Sequence, residues 1–426
     1  MSTKRLVGVV SAAFVIALSG CGGNDDGGGQ KASGGAGGGS GKTIKFLYSA
    51  PLTGDPTGSG QNGCKGAKLA VKNINGDGGI AKGPMQGAKL GIECVDDEFS
   101  TDVAATIANR YISDKDVWVL MGFTTSGQAA AAGHVAAAAQ LPIVASNVSA
   151  DFLTDDADNI LVMAPRLPNQ AAAEVDFCHE YFGGTKVANL NPDFSYIDEL
   201  AKGEKPQIDE LGMQLVADER YKAFSQNFGP QLTSIKGKNP DCIMTGDFAP
   251  APQQALVQAR KLGIEAPFMD YCACGSAQAG LDVAKENYIG FIIAEGVPYE
   301  RPSGSLLEKI ADQWQQENGT RLSSYPAWSY DGVLAAVAAI EAGASKREDI
   351  IGQFGKIDEE GVTTQLKFTD SLRPASTPLV FLEQTGPKLD DVEPVGSYKL
   401  PATGSDFERG SVEDCSARPT CAKPGG

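Results

Sequence analysis

A chain of 426 residues is long enough for about two or three domains, and its 42% hydrophobic content with 52 glycines suits an α/β protein with closely packed helices. Its formal net charge of −17, from 36 basic and 53 acidic side chains, argues against nucleic acid as a partner, because phosphate binding needs basic patches. No basic amphipathic segment suits it to a membrane surface.

The first residues read as an address. Met1 to Arg5 carries positive charge, and Leu6 to Leu18 is apolar but too short to span a bilayer, so residues 1–20 form an export signal. Leu18-Ser19-Gly20-Cys21 resembles the lipobox of bacterial lipoproteins, which implies cleavage before Cys21 and lipid attached to it. Residues 21–42 are a Gly/Ser-rich tether without the makings of a core. The expected location is outside the bacterial membrane, held there by the lipid anchor alone.

Strand and helix patterns then alternate. Thr43 to Ala50 has apolar residues at alternate positions and predicts a strand, and after a loop a helix runs from about Gln61 to Asn75. Lys89 to Asp97 is a second strand, and Asp102 to Ser113 an amphipathic helix. Val117 to Gly122 is almost wholly apolar, as in a parallel-sheet strand buried on both faces. It leads through Thr124, Thr125 and Ser126 into an alanine-rich helix, Gln128 to Ala139. One hydroxyl is enough to cap a helix. Three in a row, beside unpaired backbone N–H groups at the positive end of a helix dipole, point to a ligand carboxylate or another acceptor. Leu141 to Ser146 is the fourth strand.

A second series follows: helix Glu174 to Phe182, strand Lys186 to Asn191, helix Ile197 to Gly212 and strand Met213 to Glu219. Helix Phe224 to Lys236, strand Asp241 to Asp247 and helix Gln253 to Leu262 come next, then strands Phe268 to Cys272 and Tyr288 to Ala294. Helices Leu306 to Gly319 and Trp328 to Ala342 precede a β-rich end reaching about Leu400, and these later segments return to complete the first domain. The fold class is therefore α/β, two doubly wound parallel-sheet lobes with a ligand cleft between them. In such sheets ligands sit beyond the carboxyl ends of the strands. The predicted partition is lobe 1 at 43–165 plus about 295–378, lobe 2 at 166–294 plus about 379–400, and a tail at 401–426.

Nine cysteines, with Cys21 set aside for lipid, leave an even eight, which suits an oxidising compartment. Cys64 on the first helix and Cys94 on the second strand can come into range, and Cys415 with Cys421 would clip the tail. Cys178 with Cys242, and Cys272 with Cys274, follow by elimination. A metal-binding Cys-x-Cys is the alternative for the last pair, but no histidine is near it. No metal or cofactor is expected.

Two enzyme classes find little support. Gly58-Ser-Gly-Gln-Asn-Gly63 matches G-x-G-x-x-G, but the seven residues Pro51 to Thr57 separate it from the first strand, where a dinucleotide fingerprint would begin. An exported hydrolase would need a nucleophile and base. There is no G-x-S-x-G, and the two histidines, His134 and His179, lie on predicted helices. A carboxylate-only mechanism is the remaining enzymatic alternative.

The segments PLTGDPTGSGQNGCKGAKLAVKNINGDGGI, VDDEFSTDVAATIANRYI, MGFTTSGQAAAAG, LPIVASNVSADFLT, ALVQARKLG and YPAWSYDGVLAAVAAIEAG, in this order and spacing, resemble the substrate-binding lipoproteins of branched-chain amino-acid ABC transporters, which have the type I periplasmic-binding-protein fold. The resemblance covers Lys42 to about Leu400. It implies that Thr124, Thr125 and Ser126 hold a ligand carboxylate, that Asn147 and Ser149 add a carbonyl and a hydroxyl, and that Tyr196 closes over the ligand. It further implies an acid of the second lobe on the ligand's ammonium. Asp270 lies about two positions from that place, and Asp247 is the other candidate. Ser59 stands where some relatives carry an aromatic lid, and Phe99 and Phe123 where relatives often have a disulfide. The implied function is capture of an amino acid or amino-acid-like ligand by hinge closure, without chemistry, by a monomer that delivers it to ABC permease subunits. A ligand-sensing receptor, or a binder of amides, urea or small aromatic acids, is the alternative.

Overall fold

The alternation of strand and helix patterns resolves into two sheets with helices on their faces. The computed structural model describes residues 41–55, 57–146, 158–223, 225–271, 278–404, 406–413 and 415. In the first half, β1 (Thr43–Ala50), β2 (Lys89–Asp96), β3 (Val117–Gly122), β4 (Ile143–Ala145) and β5 (Ile160–Val162) form one sheet in the order β2-β1-β3-β4-β5. Every pairing in it is parallel. The connecting helices are α1 (Ser59–Gly76), α2 (Thr101–Tyr111) and α3 (Ser126–Ala137). All of β3 is buried, as a strand covered on both faces must be.

The second half continues with α4 (Leu167–Phe182), β6 (Lys186–Pro192), α5 (Ile197–Glu210), β7 (Gln214–Tyr221), α6 (Gly229–Lys236), β8 (Cys242–Thr245), α7 (Ala251–Lys261), β9 (Phe268–Asp270), α8 (Gln278–Ala284) and β10 (Ile292–Glu295). Two long helices, α9 (Leu306–Asn318) and α10 (Ser324–Glu341), come next. The chain ends in a short ribbon of β11 (Glu359–Glu360) and β12 (Gln365–Leu366), then β13 (Ser376–Gln384), β14 (Val392–Pro401) and β15 (Glu408–Val412). The second sheet has the order β15-β14-β13-β10-β9-β8-β6-β7. Its β6 to β10 pairings are parallel, whereas β13, β14 and β15 add on antiparallel.

Each sheet is sandwiched. Phe46 and Tyr48 of β1 pack with Trp314 of α9 and Trp328 and Ile340 of α10 on one face, and Leu47, Leu120 and Ala132 pack on the other with α2 and α3. In the second half Phe228, Phe268 and Tyr288 fill one side, and Phe177, Phe381 and Tyr398 the other. The late segments therefore divide: α9 and α10 return to the first core, while β13 to β15 extend the second sheet.

Several predicted boundaries move for local reasons. The helix expected from Phe224 begins at Gly229, because Pro230 suits only a first turn and Phe228 is already buried, its N–H donated to Gln258 Oε1 at 2.9 Å. The strand expected from Tyr288 begins at Ile292, since Lys285–Tyr288 forms a 3-10 turn and Gly290 takes a left-handed φ of 84°. Helix α10 starts before Trp328, at Ser324, with Pro326 tolerated in its first turn. The three-residue β5 was not expected, its Ile-Leu-Val being too short to show a period.

The chain passes between the halves after β10, and that crossover is tied down. Glu295, fully buried, accepts from Arg321 Nη2 at 3.1 Å and from the Ser324 amide at 3.0 Å, and the Ser324 hydroxyl donates to it as well. Next to it, Gly296 lies so close to the Trp328 indole that any side chain there would collide with the ring. Among the described residues, no helix is long and apolar enough to cross a membrane.

Candidate functional site

The connection from β3 to α3 is sharply bent. Gly122 has φ 96° and Phe123, unusually for a side chain of its size, φ 64°. The Phe123 N–H donates to the Ser49 carbonyl at 2.7 Å and its ring is buried. The bend brings Thr124, Thr125 and Ser126 to the amino end of α3. Thr125 is the cap: its hydroxyl accepts from the Gln128 N–H at 3.3 Å, and the Gln128 side chain reaches back to the Thr125 N–H at 3.0 Å. Gln128 Oε1 also accepts from the Thr124 N–H at 3.3 Å, so two of the amides expected to be unpaired are taken. Thr124 differs from its neighbours. It is 3% exposed, and its Oγ1 is buried without a hydrogen-bond partner.

Behind this turn lies an acid the sequence did not single out. Asp97, fully buried, accepts from Gln128 Nε2 at 2.9 Å, from the Phe99 N–H at 3.2 Å and from the Ser49 hydroxyl at 3.1 Å. Burial pushes its carboxyl up to about 6, against the pull of those donors. Ser59 is the first residue of α1, and its hydroxyl donates to Asp55 Oδ2 at 2.6 Å, as does the Gly60 amide at 3.1 Å. In this structure Ser59 thus helps order the helix start.

Across from these loops the second half presents rings. Tyr196 and Tyr271 both donate their hydroxyls to the Gly246 carbonyl, at 3.2 and 3.1 Å. Burial raises both phenols far above their ordinary range. Phe194 stacks on Tyr196 with centroids 5.5 Å apart, and Phe99 of the first half meets Phe248 of the second edge to face at 5.3 Å. With Tyr325 from the start of α10 and Leu167 from α4 they form one apolar cluster contributed by both halves. Beside it a hollow of about 270 Å³ is lined by Asp55 and Phe99 from the first half and by Ser225, Asp247, Phe248 and Gln254 from the second.

Both candidate acids are buried. Asp247 accepts from the Tyr221 hydroxyl at 2.8 Å and from the Phe248 N–H at 2.7 Å, and burial holds its carboxyl at about 6. Asp270 ends β9 in register with Thr245 and is 1% exposed. Glu174 of α4, also missed in the sequence, is buried near it; burial first and then the charge of Asp270 hold its carboxyl well above the ordinary range. The turn of Thr124 to Ser126 connects to the ring cluster through Asp97, two residues before Phe99.

Asn147 and Ser149 lie outside the described residues, as do Cys21, Cys272, Cys274 and Cys421. Cys64–Cys94 and Cys178–Cys242 are disulfides, with Cα atoms 6.2 and 6.4 Å apart. Cys415 is disulfide-bonded too. A larger groove, about 730 Å³, lies between α4, α5 and the β14–β15 hairpin, where Arg409 pairs with Asp176.

Comparison with known proteins fits this architecture. The family described as periplasmic binding protein matches residues 43–387. An amino acid binding protein of Pseudomonas aeruginosa is 24% identical over 302 residues, which is 70% of this chain and 78% of its own. Leu/Ile/Val-binding protein BraC3 of Rhizobium johnstonii is 26% identical over 320 residues, 75% of this chain and 82% of its own. Among solved structures, the branched-chain amino acid transporter substrate binding protein LivJ of Streptococcus pneumoniae, in complex with isoleucine, gives a TM-score of 0.74 at 24% identity, covering 83% of this chain and 99% of that one. A solute binding protein of an R. palustris ABC transporter, in complex with benzoate, gives 0.71 at 16% identity, covering 83% and 96%. With a family match that runs across both sheets, this chain belongs to the periplasmic binding proteins of the type I fold, and is a binding protein rather than an enzyme.

Proposed function

We propose that the protein captures an amino acid or a close analogue between its lobes by hinge closure and delivers it to an ABC importer, working as a monomer tethered outside the membrane through Cys21. The observation that carries this is the Thr124 hydroxyl, buried and without a partner at the amino end of a twelve-residue helix. Such a group costs free energy unless something arrives to use it, and a carboxylate is what the end of a helix dipole favours. In this reading Thr125, Ser126, Asn147 and Ser149 assist, and Tyr196 with Asp247 or Asp270 meets the ligand's other end. Residues 43–165 with about 295–378 would move against 166–294 with about 379–400, a division supported by α9 and α10 packing in the first core.

A second reading has its own observation. Phe99, Phe194, Tyr196, Phe248, Tyr271 and Tyr325 make the cluster between the lobes strongly aromatic, which would suit a small aromatic acid. A thermal-shift screen of amino acids, amides and aromatic acids separates the two. A ligand at about 100 times its Kd adds roughly 2.7 kcal/mol of stability. Thr124→Val should weaken binding of the best ligand roughly tenfold to a hundredfold, the worth of one hydrogen bond to a charged group. Unchanged affinity would put the carboxylate elsewhere. Asp247→Asn and Asp270→Asn, compared on ligands with and without an ammonium, identify the acid involved.

A further inference from the structure

Gln128 joins two groups that should influence each other. Its Nε2 is fixed on Asp97 Oδ1 at 2.9 Å, which turns its Oε1 towards the Thr124 and Thr125 amides at 3.3 and 3.0 Å and the Thr125 hydroxyl at 3.2 Å. The turn proposed to receive an anion is therefore one side chain away from a buried carboxyl group. Among the described residues, Ser49 of β1, Gln128 of α3 and the Phe99 amide meet that carboxyl, none of them ionisable, and the charged side chain acting on it is its neighbour Asp96.

We propose that Asp97 is a positioning residue of the ligand site and that capture of a carboxylate at Thr124 to Ser126 is coupled to uptake of a proton by Asp97. This rests on the reading of that turn given above. Two negative groups linked through one amide, one of them fully buried, repel each other, and neutralising the acid relieves the repulsion. The geometry tolerates the proton. It goes from solvent to Oδ2, where the Ser49 hydroxyl turns from donor to acceptor, while Oδ1 keeps both its donors, Gln128 Nε2 and the Phe99 N–H. The hold on Gln128, and through it on the turn, survives.

The sign follows. Burial already sets Asp97 at about 6, and a bound anion raises it further. Affinity is then highest below the free value, falls as pH rises from about 6 through the bound value, and is flat beyond it. Asp97→Asn imitates the protonated acid, with an amide N–H on Ser49 and a carbonyl on Gln128. Asp97→Ala releases Gln128.

The test is calorimetry on the full chain with L-leucine and with benzoate, at pH 5.5 and 7.5, in buffers of differing ionisation heat. The native protein should bind roughly tenfold more weakly at pH 7.5, with net proton uptake. Asp97→Asn should bind at both pH values as the native protein does at the lower one, and Asp97→Ala should be weaker at both. Burial holds Asp247, Asp331 and Glu204 in a similar range, so the difference between native protein and Asp97→Asn is what decides. A pH dependence that persists unchanged in Asp97→Asn overturns the proposal. If neither probe binds, the functional reading fails for those ligands, and the coupling is judged on the free protein. The Thr124 and Thr125 amide resonances should then shift near pH 6 in the native protein and stay still in Asp97→Asn. Absence of that shift overturns the coupling independently of any ligand.

Discussion

Both lobes hold buried acids fixed by donors, as Asp97 in the first and Asp176 and Asp247 in the second, but the second also holds less well matched ones. In the first, Asp97 is met by three donors, and Asp331 of α10 by the Val362 and Thr363 amides at 2.6 and 2.8 Å and the Thr363 hydroxyl at 2.6 Å. Each of these acids fastens a loop to a strand or helix. In the second, Glu174 and Glu199 keep a buried oxygen without a partner, as do Asn189 and Asn191. Glu204, held by Asn189 Nδ2 at 2.7 Å, is pushed by burial to about 7. Burial holds Glu174 and Glu204 towards their protonated forms, and forcing such an acid to ionise weakens the fold.

The largest test of this contrast concerns the staples rather than the charges. Replacing Cys178 and Cys242, 64 residues apart, by Ala should cost about 4 kcal/mol in urea unfolding, and the pair Cys64 and Cys94, 30 apart, about 0.7 kcal/mol less. The reverse order would mean that packing inside each lobe, rather than loop length, governs the loss. Next, Glu204 should make stability fall on the order of 3 kcal/mol as pH rises from the ordinary carboxylate range through about 7, because the folded state holds the proton more tightly. Glu204→Gln should remove that slope and be the more stable protein at pH 8; an unchanged slope would assign it to another acid of this lobe. Thr124→Val should change stability least, raising it by about 1 kcal/mol, since it removes a buried hydroxyl that has no partner. A clear destabilisation would show that the hydroxyl serves the fold.

The outline of the sheets was legible because β3 is apolar throughout and the helices repeat their apolar positions. The capping partnership is legible too, since Thr125 and Gln128 stand at the spacing of a capping box. Asp97 was out of reach. Its partners Ser49 and Gln128 lie 48 and 31 residues away, and only the pairing of β1 with β2 and the packing of α3 bring them together. The ring cluster is similar: Phe99 and Phe248 stand 149 residues apart in the chain and become partners only when two sheets face each other. Sequence patterns report what one element buries, not which loops from different elements converge.

The glycine beside Trp328 has a practical consequence. Three tryptophans sit in the first lobe's core, but Trp328 presses on the crossover itself, with its indole Nε1 buried and unpartnered. A rotation about that crossover would change the polarity around the indole. On the hinge closure proposed above, the protein contains its own fluorescent gauge of that movement, one that needs no attached dye and that Trp328→Phe would switch off.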